Sequence, residues 1–425
     1  MFKGVTESPL SLWSASAPAA PATSPLVMSI DVDVAIVGGG FTGLSTALHL
    51  AEQGSKVAIL EAQGLGHGGS GRNVGLANAG LWLEPDQMDA ALGKAAADRL
   101  YRFLADAPNV VYGLIERHQI QCEAVRNGTL HLGHSAKGVQ ELERRHRQLV
   151  ARGAPVELKD RAETQRLTGS PLYQGALFDP RAGTIQPLAY ARGLATAAIG
   201  AGAQLFTQSP VTDIQRQGEH WLLKSPQGQV KANKVVIATN AYTELLFPEL
   251  KQSFVPIYYF QYASKPLTEQ QLSRILPERQ GCWDTRTVMC SFRMDQAGRL
   301  VLGSMGNLLQ GDKLRHWSDR MTSKLFPWLG PVAWDYRWVG QIAYSNDHLP
   351  HFHQLADGIY TCMGYSGRGI GPGTTLGKAM AGYLLGDKDA MPISPTSVDT
   401  ISWRDLRHAF YETGARVYHA RQCLI

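Results

Sequence analysis

Residues 32–43 read Val-Asp-Val-Ala-Ile-Val-Gly-Gly-Gly-Phe-Thr-Gly, and they hold the chemistry most open to reading in this chain. An apolar run meets Gly38-x-Gly40-x-x-Gly43, then come an amphipathic stretch, a second apolar run and the acid Glu61. In a strand–turn–helix–strand unit the first glycine permits the tight turn. The second lets the backbone approach a pyrophosphate, and the third lets helix and strand pack closely. The helix opening at Phe41 and Thr42 turns free N–H groups and a positive dipole end toward phosphates. Glu61, with Ala62 and Gln63 after it, is placed to accept hydrogen bonds from an adenosine ribose. This is the pattern of a dinucleotide site.

Such a unit needs later strands to complete a parallel sheet, so its domain must be discontinuous. Lys234–Tyr242 supplies an apolar strand running into a small polar turn. Pro187 suits the first turn of a helix, and strand signals follow at 211–214, 221–224 and 229–231. A helix is expected over about 374–385. Residues 86–118 carry helical periodicity broken near Pro108, and about 136–152 predicts another helix. Asn127-Gly128 predicts a hairpin within 121–133. A strand-rich block runs from Ser253 to Gly303, with alternation in 255–263 and 287–293. These blocks make a second domain. Residues 1–30 read as an extended arm, rich in Ala, Pro and Ser over 14–27.

Composition narrows the function classes. The 425 residues are 44% hydrophobic and 18% charged, with a net charge of +5, too weak a basic balance to point to nucleic acid. Arg144–Arg147 reads as a solvated helix face. The five cysteines form no CxxC pair, which argues for a reducing compartment, cytoplasmic by default, and against zinc or a disulfide framework. His348, His351 and His353 lack helical metal-ligand spacing, so no metal is expected. No apolar run is long enough to span a membrane.

Four segments together resemble the FAD-dependent D-amino-acid oxidase/glycine oxidase family, closest to its γ-glutamylputrescine oxidoreductase branch. They are the Gly38–Glu61 unit, the loop Ser70-Gly-Arg-Asn-x-Gly75, the Val235–Asn240 strand and turn, and Gly364-Tyr-Ser-Gly-x-Gly369 before a helix. The resemblance covers about residues 31–385. It implies an α/β fold in which a Rossmann-like, discontinuous FAD-binding domain (31–90, 187–250 and 338–425) joins an α+β substrate domain on an antiparallel sheet (91–186 and 251–337).

By the same resemblance, Ser70, Arg72, Asn73, Val74, Gly75 and Leu76 pass beside the pyrophosphate toward the isoalloxazine ring. Val211 meets the adenine side, while Thr239, Asn240 and Gly340 help close the cofactor site. Gly367, Arg368, Gly369 and Ile370 offer backbone N–H groups to the flavin N1/C2=O edge, where reduced flavin carries negative charge. Relatives that attach FAD covalently use a Cys just ahead of the segment matching Trp338–Pro350. This chain has none there, so noncovalent FAD is expected. Glycine-oxidase-like members keep a carboxylate-binding Arg in that segment, where this chain has Ile342 or a near neighbour.

The implied reaction is oxidation of the C–N bond of a small amine, amino acid or imino acid. Hydride passes to flavin N5, giving an imine that can hydrolyse, and the electrons go to O2 or another acceptor. The O2-activating Lys of sarcosine-oxidase-like relatives has no match in 287–293. Arg368 either clamps an anionic substrate group or bonds flavin and protein carbonyls. Arg293, on a strand, points to the pocket or away from it. Tyr259 and Tyr365, with Tyr258, Phe260, Tyr262 and Trp82, wall a pocket or pack the core. Strand alternation puts Tyr259 on the face opposite Tyr258, Phe260 and Tyr262. Two other readings fit the frame: an FAD-binding subunit of an acceptor-dependent dehydrogenase complex, and a flavoprotein oxidising a hydroxy acid.

Overall fold

The computed structural model describes residues 11–244, 246–307 and 316–424, the side chains of 422–424 excepted. Two eight-stranded sheets organise the chain. The first is built on Ser29–Val37, whose apolar half, 34–37, is buried on both faces, as parallel strands are. It pairs in parallel with Gly228–Ile237 on one side and Val57–Leu60 on the other. Ile359–Met363 and Gln204–Phe206 extend the parallel run. His351–Ala356 and the hairpin of Asp213–Gln217 with His220–Ser225 are antiparallel additions.

The helix Phe41–Ala51 is buried on nearly every residue, between the sheet and the helices Pro187–Gly200 and Ile370–Leu384. Small polar residues let these helices touch. Ser45 Oγ donates to Thr374 O at 2.7 Å, and Thr46 Oγ1 donates to Gly377 O at 3.0 Å. A Cβ at Gly377 would stand 2.6 Å from Thr42 O, so only glycine allows the approach. Three helices, Pro85–Leu92, Lys94–Ala105 and Ala107–Arg117, fill the periodic stretch 86–118, and Pro108 falls in the first turn of the third.

The second sheet runs, in spatial order, Trp334–Tyr344, Val255–Pro266, Arg299–Met305, Cys290–Met294, Gly281–Asp284, Thr129–Gly133, Gly175–Asp179 and Glu157–Lys159. All its pairings are antiparallel except that of Gly281–Asp284 with Thr129–Gly133. Its core packs Phe260, Phe292, Trp317 and Phe326.

Five expectations need correction. No hairpin forms over 121–133: Thr129–Gly133 is fully buried, and its backbone pairs on both edges with distant strands, Gly281–Asp284 and Gly175–Asp179. The boundary at 338 cuts through Trp334–Tyr344, a strand of the second sheet. The tail placed with the FAD domain ends in the helix Arg404–Leu424, which docks on the second sheet through His408 Nδ1 to Pro256 O (2.7 Å) and His419 Nε2 to Met305 O (2.8 Å). In turn, Ala107–Arg117, placed with the substrate domain, packs on Ile370–Leu384 and shares the first domain's core. The arm contains a helical turn, Leu12–Ser16, with Leu12 and Trp13 fully buried. No described helix is long and apolar enough to cross a membrane.

Candidate functional site

A cavity of about 1370 Å³ opens between the two sheets, lined from both. Its first end is the glycine turn. Gly38 takes φ +111°, and a Cβ there would lie 2.9 Å from Ala238 O. At Gly43 it would lie 2.1 Å from Gly38 O, so that glycine shapes the turn from behind without lining the cavity. At Gly40, on the wall, it would lie 2.9 Å from Ser70 Oγ. Phe41 N donates to that hydroxyl at 3.0 Å, which fastens the helix start to the second glycine-rich loop. Phe41 and Thr42 both face the cavity, at a helix end whose first N–H groups have no intrahelical partner. This cradle suits a pyrophosphate.

Glu61 closes the next stretch of wall with Ala62 and Gln63. Its carboxylate accepts from Gly39 N at 2.7 Å and from Gln63 N at 2.9 Å. Burial pushes its pKa up, while those two donors pull it down. A carboxylate has about four lone-pair sites, so two remain for a ribose diol. Val211, Thr239, Asn240 and Gly340 also line the cavity. Asn240 Oδ1 accepts from Gly364 N at 3.2 Å, which joins the strand-end turn to the last glycine-rich turn.

The loop bearing Ser70, Arg72, Asn73, Val74 and Leu76 faces the cavity and is held from behind. Asn73 is spent on the loop itself: its Nδ2 donates to Gly69 O and Ser70 O, and its Oδ1 accepts from Gly75 N. Arg72 O accepts from Trp338 Nε1 at 3.0 Å and Gln261 Nε2 at 3.1 Å. Asn73 O accepts from Trp13 Nε1 at 2.9 Å. Arg293 belongs to this backing and not to the pocket. It is 1% exposed and outside the cavity lining, and its guanidinium bonds the carbonyls of Gly75 and Ile185. A charged fork that deep needs acceptors, and the loop carbonyls are the ones available. Gly75 is likewise behind the wall, where a Cβ would overlap Ile185 O at 2.1 Å.

The other end of the cavity is the turn 365–370. Tyr365 reaches it with its ring, but its hydroxyl donates to Cys362 O (3.0 Å) and bonds Thr42 Oγ1 (2.8 Å), so it is committed to structure. Alternation along Val255–Pro266 turns Tyr259 to the cavity, with its hydroxyl on Ser291 Oγ at 2.8 Å. Phe260 and Tyr262 pack on Trp317, and Tyr258 meets His408. Ile342 lines the cavity where relatives would keep an arginine.

Arg368 Nη1 donates to Ala79 O at 2.8 Å, and its guanidinium sits 4.9 Å from the Trp82 ring and 5.3 Å from Trp283. Its Nε is buried without a partner. Beside it stands a residue misread from the sequence. In the run 144–147 only Arg144 pairs outward, with Glu84, whereas Arg145 turns inward and lines the cavity. The signal was present in the buried stripe Gly138, Leu142, Arg145 at helical spacing. Arg145 Nη2 donates to Trp82 O at 2.7 Å and its Nε is also unpartnered. His131 stacks on Trp283 at 5.1 Å with its Nδ1 unpartnered. Burial, then the charges of Arg145 and Arg368, hold that imidazole neutral. Of the histidines near 350, His351 bonds Asp347 and His353 bonds Thr396 O, whereas His348 lines the cavity with its Nδ1 unpartnered.

The chain matches the family described as FAD dependent oxidoreductase (DAO) over residues 33–383. It is 32% identical over 432 residues to the γ-glutamylputrescine oxidoreductase of Escherichia coli K12, covering 99% of this chain and 100% of that protein. A probable oxidoreductase OrdL of Haemophilus influenzae is 30% identical, with 87% and 86% covered. Among solved structures, glycine oxidase from Geobacillus kaustophilus has the same fold, at TM-score 0.69 and 22% identity over 87% of this chain and 96% of that one. The glycine cradle, the acid and the two loops fit the cofactor of these proteins. The chain belongs to the DAO family and is an FAD-dependent oxidoreductase of the amine and amino-acid class.

Proposed function

We propose that this enzyme oxidises the C–N bond of an amine, amino acid or imino acid that also carries an anionic group, held by Arg368 and Arg145. The observation that carries the reading is the pair itself. Two guanidiniums face one cavity, each with an unpartnered Nε, and neither forms an ion pair among the described residues. Glu84 and Glu141 near Arg145 and Asp179 near Arg368 offset these charges without pairing with them, and holding them so is costly. An anion between them is the compensation their geometry asks for.

FAD, when bound, accepts the hydride leaving the carbon next to nitrogen and passes two electrons to O2 or another acceptor. The residues of this chain set up that step. Gly38–Gly43 and Glu61 would hold the dinucleotide, and the loop at 70–76 with the turn at 367–370 would orient its ring. Trp82, Trp283 and Tyr259 wall the substrate space. The two arginines also act at a distance: a positive field disfavours an ammonium in the cavity and so favours the neutral amine, whose lone pair assists hydride departure. No side-chain base is required, and His131 stands too deeply neutral to be a strong one. The imine product then hydrolyses or stays cyclic. The free, buried cysteines fit a reducing, cytoplasmic setting.

Anaerobic bleaching of the bound flavin across a panel tests this reading. The panel holds amines with and without a carboxylate, D- and L-amino acids, cyclic imino acids and 2-hydroxy acids. Carboxylate-bearing amines should reduce it fastest. Reduction by hydroxy acids alone would assign an alcohol oxidation instead, and reduction by none would leave an FAD-binding subunit.

A further inference from the structure

The N-terminal arm does more than lead into the first strand. Trp13 is fully buried and sits where three parts of the molecule meet. Its indole N–H donates to Asn73 O in the cofactor loop at 2.9 Å. Its ring meets Trp338 of the second sheet edge-on, with centroids 5.6 Å apart. The Arg293 guanidinium, which grips the carbonyls of Gly75 and Ile185, lies 5.5 Å from the Trp13 ring centroid. Leu12 beside it packs with Leu188, Ala263 and Val301, which come from both domains.

The arm is fastened at its own backbone as well. Gln186 Nε2 donates to Trp13 O at 2.9 Å, while its Oε1 caps the helix Pro187–Gly200 by accepting from Ala189 N. Arg192 Nη1 donates to Pro18 O at 2.6 Å. These bonds run to groups that are not otherwise parts of one element. A carbonyl such as Asn73 O, buried behind a loop, must find a donor, and the arm supplies it.

We propose that residues 12–18 act as a buckle that sets the position of the cofactor loop, with Trp13 as a positioning residue for FAD. The inference rests on the assignment of the 70–76 loop to the flavin. Trp13 touches neither cofactor nor substrate. It fixes the Asn73 carbonyl and covers Arg293, and through them it fixes the part of the loop that faces the ring. Without it the loop keeps its internal Asn73 bonds and the bonds of Trp338 and Gln261 to Arg72 O, but the Asn73 carbonyl loses its donor.

The test compares wild type with Trp13→Phe and Trp13→Ala, each deflavinated and titrated with FAD. Flavin absorbance shape and apoprotein melting temperature are recorded alongside. Trp13→Phe removes the indole N–H and keeps an aromatic ring, so FAD should bind roughly 3- to 10-fold more weakly, the scale of one neutral hydrogen bond. Its bound flavin spectrum should also shift. Trp13→Ala should weaken FAD further, by about 30-fold or more, as ring packing goes too. Should Trp13→Phe bind FAD within twofold of wild type with an unchanged spectrum, the positioning role is wrong. A lower apoprotein melting temperature with unaltered FAD affinity would show a purely structural tryptophan and overturn the proposal equally. Gly40→Val serves as the control. If that variant kept its FAD, the placement of the dinucleotide on the Gly38–Gly43 cradle against Ser70, on which the loop assignment depends, would fail first, and the two failures stay distinguishable.

Discussion

Replacing Arg368 with lysine tests the proposed substrate anchor most directly, because it keeps the charge and removes the geometry. The wild-type guanidinium is pinned by Ala79 O, set close to the rings of both Trp82 and Trp283, and left with an unpartnered Nε. That arrangement spends one edge of the fork on the protein and leaves the rest for a ligand. A lysine at 368 offers one directional bond where the fork offers two parallel ones, and it stacks less well on indole. One charge-assisted hydrogen bond is worth roughly 1.5–3 kcal/mol, and the lost stacking about 0.5–1 kcal/mol. The transition state should therefore lose about 2–4 kcal/mol, or roughly 30- to 1000-fold in kcat/KM. Rapid-reaction reduction of both proteins by a carboxylate-bearing amine and by its decarboxylated analogue separates the roles. The loss should appear with the first and largely vanish with the second, while flavin content stays near wild type. Equal losses on both would mean that Arg368 tunes the flavin, and the anchor would be refuted.

Gly40→Val should abolish FAD binding, since a Cβ there already meets Ser70 Oγ at 2.9 Å and the branches would fill the cradle; a variant purified with normal flavin content would count against the assignment. Acid denaturation should release the yellow colour to the supernatant, because no described cysteine lines the cavity and Cys362 is buried on its strand; colour kept in the pellet would mean covalent attachment. His131→Leu should flatten the acid side of the stability profile. The folded pKa of His131 lies well below its ordinary value of 6.5, so below that pH the unfolded chain binds the extra proton and stability falls as pH drops. The slope removed is up to about 1.4 kcal/mol per pH unit. Melting temperatures at pH 7.5 and 5.5 read it, and an identical wild-type-to-variant gap at both would contradict a buried neutral imidazole.

The cofactor half of this molecule was legible because its chemistry is local in sequence. Gly38, Gly40, Gly43 and Glu61 lie within one βαβ unit; Gly38 and Gly43 answer close backbone contacts that a Cβ would block, and Gly40 a close contact with Ser70 Oγ. Of the proposed substrate half, Arg368, Tyr259 and Trp82 could be named but Arg145, His131 and Trp283 could not, because its side chains arrive from separate elements. Arg145 comes from one helix, His131 and Trp283 from neighbouring strands, and Arg368 from a turn far along the chain. A run of arginines looks solvated until its helix is given a direction. Arg293 shows the opposite error. On a strand an inward charge looks functional, yet what it meets is backbone carbonyl. The hairpin over 121–133 failed for a related reason: Asn127-Gly128 favours a turn, but the strand after it is claimed on both edges by longer-range pairing.

The arginine pair also bears on selectivity. A pocket lined by Trp82, Trp283 and Tyr259 alone would separate substrates differing by a methylene only weakly, by about 10- to 200-fold. Buried donors that must be met by the right ligand discriminate much more, because the wrong ligand leaves them unpaired. Arg145 and Arg368 enter the cavity already tied by one bond each to Trp82 O and Ala79 O, so little ordering remains to be done when an anion arrives. Their shared attachment to the segment 79–82 holds their relative position as well. A neutral amine of matching size would fit the aromatic walls and still leave two cations without a counter-charge. On the proposed reading, the positive field that selects the anion also lowers the proton affinity of the reacting nitrogen, so binding and activation draw on one feature of the site. An amine without the acidic group should therefore lose in both respects, and lose more than its missing contacts alone would explain.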